Sequence, residues 1–334
     1  MKSNKYEIDM CNGSIMDKLV SFALPLMLSG ILQLMFNAVD IIVVGRFSGS
    51  EALAAVGSTT ALINVFTNLF IGISLGANVL AARFFAAGRK EEMSETVHTS
   101  ITLALISGIL MAFVGLVFSK GALELMGTPE DVIGLSTLYM RIYFMGMPFF
   151  MLYNYGAAIL RAVGDTKRPL YFLIIAGVIN AGLNMVLVIV FGLGVAGVGI
   201  ATVFSQMVSC VLVLTCLCRT EGSYKLSFSK LSMKGYYLKQ IFQVGIPAGI
   251  QSTVINFSNA LLQSSVNSFG STAMAGYTAA NNILGFLYVS INSVTQACMS
   301  FTSQNFGVGK YKRMDRVLID CMILSVGAAL VLGC

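Results

Sequence analysis

The 334-residue sequence has few charged side chains, and this scarcity limits its class. Asp, Glu, Lys and Arg together make up 11% of the residues, whereas hydrophobic residues make up 56%. Soluble domains carry about 25% charged residues, so this chain has too few to cover a water-facing surface. The composition therefore excludes a soluble enzyme, a disordered protein and a nucleic-acid binder, although the net charge is +6.

Histidine and paired cysteines are also scarce. A single histidine, His98, leaves little room for imidazole-based metal binding or acid–base chemistry. The seven cysteines contain no C-x-x-C pair and lie mostly within apolar runs, which argues against a disulfide framework and against a zinc site. We therefore expect no cofactor and interpret the chain as a non-enzyme.

Long apolar runs dominate what remains. A helix that spans a bilayer needs about 20 predominantly apolar residues. Nine such runs predict nine spanning helices and hence an all-α polytopic membrane protein. They cover residues 19–44, 54–82, 97–118, 132–160, 170–191, 195–218, 240–268, 273–304 and 317–334.

The basic residues predict the orientation of these spans. Of 21 Lys and Arg, only Arg46, Lys120 and Arg141 fall in or near the odd-numbered connections, and the other 18 lie in the N-terminal tail and the even-numbered loops. Basic residues accumulate on the cytoplasmic side of membrane proteins. The bias therefore predicts a cytoplasmic N-terminus in a multi-pass protein of the plasma membrane.

The second half of the sequence echoes the first at an offset of about 221 residues. Residues 49–55 align with 270–276, and Phe85 and Gly88 align with Phe306 and Gly309. Six helices, an even number, separate the copies, so both have the same orientation and form a parallel repeat. The repeat predicts two six-helix lobes, divided into an N-terminal lobe over 1–218, a basic cytoplasmic linker over 219–239 and the first part of a C-terminal lobe over 240–334.

The same offset predicts that the sequence is part of a longer protein. Cys334 corresponds to Phe113, midway through the third helix of the first copy. We therefore expect nine of twelve helices to be present here, with the chain truncated at its C-terminal side.

Acidic residues are almost absent from the spans, so those that occur there are functional candidates. Only Asp40 and Asp320 lie within apolar runs, and Asp320, near Arg316, is typical of a solvated or paired helix end. Gln33, Asn37 and Asp40 follow i, i+4, i+7 spacing and share one helix face, which must contact protein or water. From this spacing alone Asp40 is either a functional carboxylate or one that reaches the outer interface.

Other spans carry polar residues at a similar depth. With Asp40 they predict a site for a proton or a small hard cation such as Na⁺, although each amide is also common as a contact between helices. Amides in the seventh span indicate either a polar cavity lining or helix contacts. The outer candidates are Tyr139, Asn180, Asn184, Thr202 and Gln206, and the seventh span contributes Asn256, Asn259 and Gln263.

Three stretches of the sequence form recognisable motifs. The first runs from Pro25 through N-A-V-D at 37–40 and V-G-R at 44–46 to A-L-A-A-V-G at 52–57. The second is R-A-V-G-D-T-K-R-P at 161–169, and the third is G-V-G-I-A-T at 197–202. Together they resemble the multidrug and toxic compound extrusion (MATE) family of secondary transporters, and the resemblance covers the whole chain.

The resemblance implies twelve helices in two lobes and the expulsion of substrates in exchange for H⁺ or Na⁺. It implies that the family's first-helix acidic residue is Asp40, its fifth-helix pair Asn180 and Asn184, and its sixth-helix threonine Thr202. Several relatives carry Asp where this chain has Asn184, so Asp40 is the only carboxylate of the site. A cation site in the second lobe is not expected, because Asn256 stands near the position where some members use Glu.

These observations predict a cation-coupled multidrug efflux transporter that exports small organic, cationic compounds. We expect it to be monomeric, to contact the lipid bilayer and not nucleic acid, and to use H⁺ or Na⁺ as coupling ion without a further cofactor. The alternatives are a lipid-linked oligosaccharide flippase of the same broader superfamily, an intramembrane enzyme and a channel. A flippase is disfavoured because the spans hold almost no Lys or Arg for a pyrophosphate.

Overall fold

The computed structural model describes residues 6–267 and 271–333, except for the side chains of residues 61, 256, 257, 260, 261, 263, 264, 267, 271–279, 281–283, 332 and 333. This part of the chain is helical throughout its ordered elements and contains no β-strand. The helices are α1 (Ile15–Phe47), α2 (Gly49–Ala86), α3 (Lys90–Leu125), α4 (Glu130–Met145), α5 (Met147–Ala162), α6 (Lys167–Asn184), α7 (Gly194–Arg219), α8 (Gly235–Asn267), α9 (Ser271–Gly307) and α10 (Tyr311–Gly333).

These helices confirm the predicted all-α, multi-pass fold, with one break inside a predicted span. The run 132–160 forms two helices, α4 and α5, which meet at Gly146 with Pro148 in the first turn of α5. Proline has no backbone N–H to donate, so the chain bends there with little loss of hydrogen bonding. Within the described ranges, five helical segments are long and apolar enough to cross a membrane: α1, α2, α3, Lys167–Val190 and α7.

We call α2–α7 the first bundle and α8–α10 the second bundle, and we call the end that holds the start of α1 the inner side. The two bundles meet mainly where α2 packs against α8. Both helices carry a G-x-x-x-G motif there, at Gly72 and Gly76 on α2 and at Gly245 and Gly249 on α8. A Cβ added at Gly76 would lie 2.9 Å from the Gly245 nitrogen. The absence of side chains thus lets the two backbones touch, as in other membrane helix pairs.

Helix α1 contacts both bundles, each with a different half. Its inner half forms an apolar cluster with the second bundle, in which Phe22 packs edge-to-face on Phe301 with ring centroids 5.7 Å apart. Its outer half lies against α6 of the first bundle. Pro25 lies within the inner half, since Leu26 still belongs to the apolar cluster and Gly30 lies against Val289 of α9.

The basic linker after α7 is folded against the first bundle rather than extended. The Leu226 N–H donates to the Leu217 carbonyl at 3.1 Å. The Ser227 N–H donates to Nε2 of buried His98 at 3.1 Å, while Nδ1 of that ring lies 2.7 Å from the Ser94 carbonyl oxygen. The only histidine therefore anchors the linker through Nε2, while its Nδ1 holds the ring on its own helix.

Candidate functional site

A close approach between α1 and α6 brings the predicted site together. The Phe36 ring lies directly on Gly177 of α6, where any Cβ would overlap the ring. Asp40 follows Phe36 by four residues, and Asn180 and Asn184 follow Gly177 by three and seven. Residues at these spacings share a helix face, so the Phe36–Gly177 contact directs all three polar side chains toward one another.

Asp40, Asn180 and Asn184 form a continuous hydrogen-bonded cluster. The side-chain amide of Asn184 donates to Oδ1 of Asp40 and, at 3.2 Å, to Oδ1 of Asn180. The three side chains are 8%, 5% and 0% exposed, respectively. Because Asp40 is seven residues from the end of α1, this buried carboxylate lies in the outer half of the span rather than at the interface.

Helices α7 and α4 complete the surroundings of the carboxylate. Thr202 lies beside Asp40, and its hydroxyl donates to the Val198 carbonyl at 2.9 Å. Tyr139 is buried on α4 and lies close enough to Asp40 to interact with it electrostatically. Its ring centroid is 6.2 Å from that of Tyr143. Tyr143, which the sequence reasoning missed, shares a hydrogen bond with Gln206 of α7.

One atom of the cluster has no partner in the described part of the chain. Both amide hydrogens of Asn184 are used, yet its buried Oδ1 accepts no hydrogen bond. A buried polar atom without a partner costs about 1–3 kcal/mol. The Asn184 oxygen, the Asn180 oxygen and the Asp40 carboxylate are hard oxygen donors, so the residues fit a small hard cation.

The remaining candidates lie outside this cluster. Gln33 and Asn37, on the same helix as Asp40, have exposed side chains, as does Asn259 on α8. Gln206 is half-buried beside Tyr143 and so reaches the edge of the cluster. The side chains of Asn256 and Gln263 lie outside the described residues.

The turn that follows Asn184 is a second feature that the sequence reasoning missed. Residues Met185–Val190 continue α6 as a π-helix, and the Phe191 N–H bonds back to the Val186 carbonyl at 3.1 Å. Such turns are rare and occur preferentially at functional sites. This one widens the helix immediately beyond the cluster, and nothing in the apolar sequence M-V-L-V-I-V marks it.

On the inner side, polar side chains join the two bundles. Asn78 of α2 donates to the Ala158 carbonyl of α5 at 2.8 Å and accepts from the Ser300 hydroxyl of α9 at 3.1 Å. One turn farther in, the Gln304 amide of α9 donates to the Ala162 carbonyl at 2.7 Å. We call these contacts and the α2–α8 glycine pairs the inner seam. They hold the inner parts of the two bundles together.

Known proteins share both the sequence pattern and the fold of this chain. The model of the MatE family matches residues 25–186 and 247–334, well over half of the chain. This chain belongs to the MatE family. The resemblance stated from the sequence is thereby confirmed, and the family consists of transporters rather than enzymes.

Curated relatives extend beyond this chain. "Probable multidrug resistance protein YoeA" of Bacillus subtilis is 34% identical over 306 residues, which cover 89% of this chain and 66% of that protein. An "FAD transporter" of Shewanella oneidensis is 24% identical, covering 90% of this chain and 67% of that protein. "Multidrug export protein MepA" of Staphylococcus aureus is 21% identical. The chain thus spans about two thirds of the length of the curated relatives it matches.

Solved structures share the fold. One described as the "outward-facing conformation of a multidrug resistance MATE family transporter of the MOP superfamily" has a TM-score of 0.91 at 23% identity and covers 99% of this chain and 74% of that one. A transporter from Pyrococcus furiosus whose title refers to "reverse polarity of binding pocket" has a TM-score of 0.89 at 24% identity. At such identity these similarities show the fold alone.

Proposed function

We propose that this chain belongs to a multidrug efflux transporter in which a monovalent cation, H⁺ or Na⁺, binds at Asp40 and drives the export of organic cations. The names of the YoeA and MepA relatives support multidrug export. One observation carries the proposed coupling: among the described residues, the hydrogen-bonding neighbours of this buried carboxylate in the outer half of α1 are the uncharged Asn184 and Thr202.

A buried, uncompensated charge is costly, and a cation removes that cost. Burying a carboxylate without a positive partner costs several kcal/mol. A proton or Na⁺ bound at Asp40 neutralises the charge and so stabilises the conformation in which the carboxylate is buried. A proton would give the carboxyl group a hydrogen with which to reach the Thr202 oxygen, whose own hydrogen points to Val198. Na⁺ would instead use the unpartnered Asn184 oxygen and the Asn180 oxygen.

Coupling follows if the cation and the substrate favour different states. A ligand shifts a conformational equilibrium only by its difference in affinity for the two states. We propose that the cation enters from outside, rearranges the first bundle around the α1–α6 contact and promotes release of the organic cation outward. In this scheme the N-terminus is cytoplasmic, the membrane is the plasma membrane and the transporter acts as a monomer.

Transport of a lipid-linked or otherwise anionic substrate is the alternative. A relative named as an FAD transporter keeps this possibility relevant to the fold. An anionic substrate favours basic side chains in the cavity, whereas the basic residue nearest in sequence to Tyr139, Arg141, is exposed. The arrangement around Asp40 therefore supports a cationic substrate better.

The test compares two carboxylates in a vesicle assay. Efflux of a fluorescent organic cation is measured with an imposed H⁺ or Na⁺ gradient, using the intact transporter. Asp40→Asn is expected to abolish gradient-driven efflux, while Asp320→Asn, which removes an acidic residue of α10 near the inner side, retains it. Undiminished efflux by Asp40→Asn contradicts the proposal, and export of an anionic but not a cationic dye supports the alternative.

A further inference from the structure

The segment before α1 connects the inner ends of the two bundles, although it contains no helix. Residues Tyr6–Gly13, which we call the inner strap, run across the inner side between the α5–α6 connection and the α9–α10 connection. Neither the family resemblance nor the cation site gives this segment a role. Its contacts with each bundle are specific.

The N-terminal part of the strap is attached to the first bundle. The Tyr224 hydroxyl, on the folded linker, donates to Oε1 of Glu7 at 2.7 Å, and the Arg168 guanidinium stacks over the Tyr6 ring at 5.5 Å. The backbone of Ile8 lies on Gly164, where an added Cβ would be 2.6 Å from the Ile8 nitrogen and oxygen. Gly164 has a φ of +95°, which only glycine adopts readily, so this close approach is built into the loop.

Arg168 is itself held in place, so its stacking on the strap is not the contact of a free surface side chain. It forms an ion pair with Asp165, which is fully buried, and its Nη1 lies 3.1 Å from the Cys216 sulfur. Arg168 also hydrogen-bonds to Tyr224. Two residues that touch the strap, Arg168 and Tyr224, are thereby joined to each other and to the first bundle.

The C-terminal part of the strap is attached to the second bundle. The Asn305 amide donates to the Met10 carbonyl at 3.1 Å. Lys310 donates to the Cys11 carbonyl at 2.9 Å, and Arg313 donates to the Asn12 carbonyl at 3.0 Å and the Gly13 carbonyl at 2.9 Å. The Met10 side chain is completely buried in the apolar cluster of α1, α9 and α10.

The strap is also stiffened internally. The Asp9 carboxylate accepts from the Cys11 N–H at 2.9 Å and from the Asn12 amide at 3.0 Å, and Lys18 donates to the Asp9 and Asn12 carbonyls. Burial opposes ionisation of Asp9, but these hydrogen bonds and the Lys18 charge prevail and lower its pKa below the ordinary value. A stiff segment transmits a pull from one attachment to the other.

We propose that the inner strap is a latch that holds the inner ends of the two bundles together and must release from one of them before the inner side opens. The inference rests on the proposed transport function, because alternating access requires the bundles to separate on the inner side. It adds a regulatory contact remote from Asp40. Because the two attachments of the strap act in series, breaking the second adds little once the first is broken.

The test measures opening of the inner seam directly, without substrate or gradient. Ser300 is buried against Asn78, so a cysteine there is reached only when the bundles separate. Ser300→Cys is introduced into a variant whose native cysteines are serine, the protein is placed in nanodiscs, and the rate of labelling by a polar maleimide is followed. Because transport is not measured, failure of the latch is distinguishable from failure of the proposed function.

Two substitutions, each of which weakens one attachment of the strap, are compared with two matched control substitutions. Arg313→Gln is expected to raise the labelling rate about tenfold and Tyr224→Phe about threefold, because Arg313 donates to two carbonyls of the strap whereas Tyr224 donates one hydrogen bond. The double variant is expected to label no faster than Arg313→Gln alone. Lys312→Gln and Tyr236→Phe, which change exposed side chains of the same types, are expected to leave the rate unchanged.

Two outcomes overturn the latch. One is an unchanged labelling rate in both single variants, and the other is multiplication of their effects in the double variant, which indicates independent local contacts. Tyr224→Phe keeps the ring that packs on Phe85 and so preserves the fold. Should Arg313→Gln not yield folded protein, Lys310→Gln supplies the second cut with the same expected outcome.

Discussion

The outer cluster around Asp40 and the inner seam are held together by different kinds of interaction. The outer cluster places one ionisable group among amides and hydroxyls contributed by α1, α6 and α7. The inner seam brings backbones together through glycines and joins them by neutral side chain-to-carbonyl bonds. Under the proposed function the outer cluster would bind a cation, the inner seam would depend on packing, and coupled transport would require the first to control the second.

A comparison of α1 with α8 sharpens this contrast. Their internal prolines, Pro25 and Pro247, are 222 residues apart, and the same offset pairs Asp40 with Leu262. Leu262 is 56% exposed, whereas Asp40 is buried. Helix α8 thus carries an exposed apolar side chain at the position where α1 carries the carboxylate.

The largest effect on stability is expected from filling the inner seam. Gly76→Val would drive a side chain into the Gly245 backbone, and overpacking of this kind costs about 1–3 kcal/mol or more. We expect a clearly lower melting temperature in detergent. Gly57→Val, on the same helix but facing open space, is the control and should melt near the parent protein. Equal melting temperatures for the two variants would show that the glycine contact does not hold the bundles together.

Removing the amide beside Asp40 tests the outer region. Asn184→Leu deprives the carboxylate of its donor, and leaving a buried charge without a partner costs about 1–3 kcal/mol or more. We expect gradient-driven efflux to fall at least about tenfold. Asn259→Leu, which removes an exposed amide from α8, should transport at nearly the parent rate. A similar loss of efflux in both variants would mean that the effect does not depend on the hydrogen bond to Asp40.

The contact between Phe36 of α1 and Gly177 of α6 can be tested by one substitution that disturbs it and a second that restores it. Gly177→Ala is expected to push the Phe36 ring outward, weaken the Asp40–Asn184 hydrogen bond and reduce efflux about threefold to tenfold, as overpacking of about 1 kcal/mol implies. Adding Phe36→Leu should restore much of the lost efflux, because the smaller side chain makes room for the methyl group. Failure of the rescue would mean that the contact does not align the two helices.

The smallest effect is expected from a single seam hydrogen bond. Ser300→Ala removes the hydroxyl donated to Asn78 and should lower the free energy of unfolding by about 1 kcal/mol. Thermal denaturation in detergent measures it, with Ser258→Ala on the exposed surface of α8 as the reference. A change as large as that of Gly76→Val would contradict the view that glycine packing, not hydrogen bonding, dominates the seam.

Much of the outer site was predictable from the sequence, whereas the inner contacts were not. The scarcity of acidic residues singled out Asp40, and helical spacing put Asn180 and Asn184 on one face. The Gly177–Phe36 contact needs knowledge of which helices pack together. The inner strap was invisible because its bonds go largely to the backbone carbonyls of residues 10–13, which any sequence provides.

Helix boundaries illustrate the same limit. Hydropathy located the spans, but the predicted helix over 132–160 is interrupted at Gly146, and the π-helical turn Met185–Val190 interrupts a uniformly apolar run. Both breaks depend on which backbone hydrogen bonds are satisfied. Apolar composition carries no information on that choice.

The most direct test is to measure whether a cation at Asp40 controls the opening of the inner seam. Maleimide labelling of Ser300→Cys is measured in nanodiscs across a series of pH values and Na⁺ concentrations, with Asp40 present and with Asp40→Asn. We predict that the labelling rate, divided by that of a small free thiol at the same pH, changes with pH or with Na⁺ when Asp40 is present and becomes insensitive to both in Asp40→Asn. The division removes the increase in reactive thiolate that any cysteine shows as the pH rises. A rate with the same cation dependence in both proteins would contradict the coupling of the outer cluster to the inner seam.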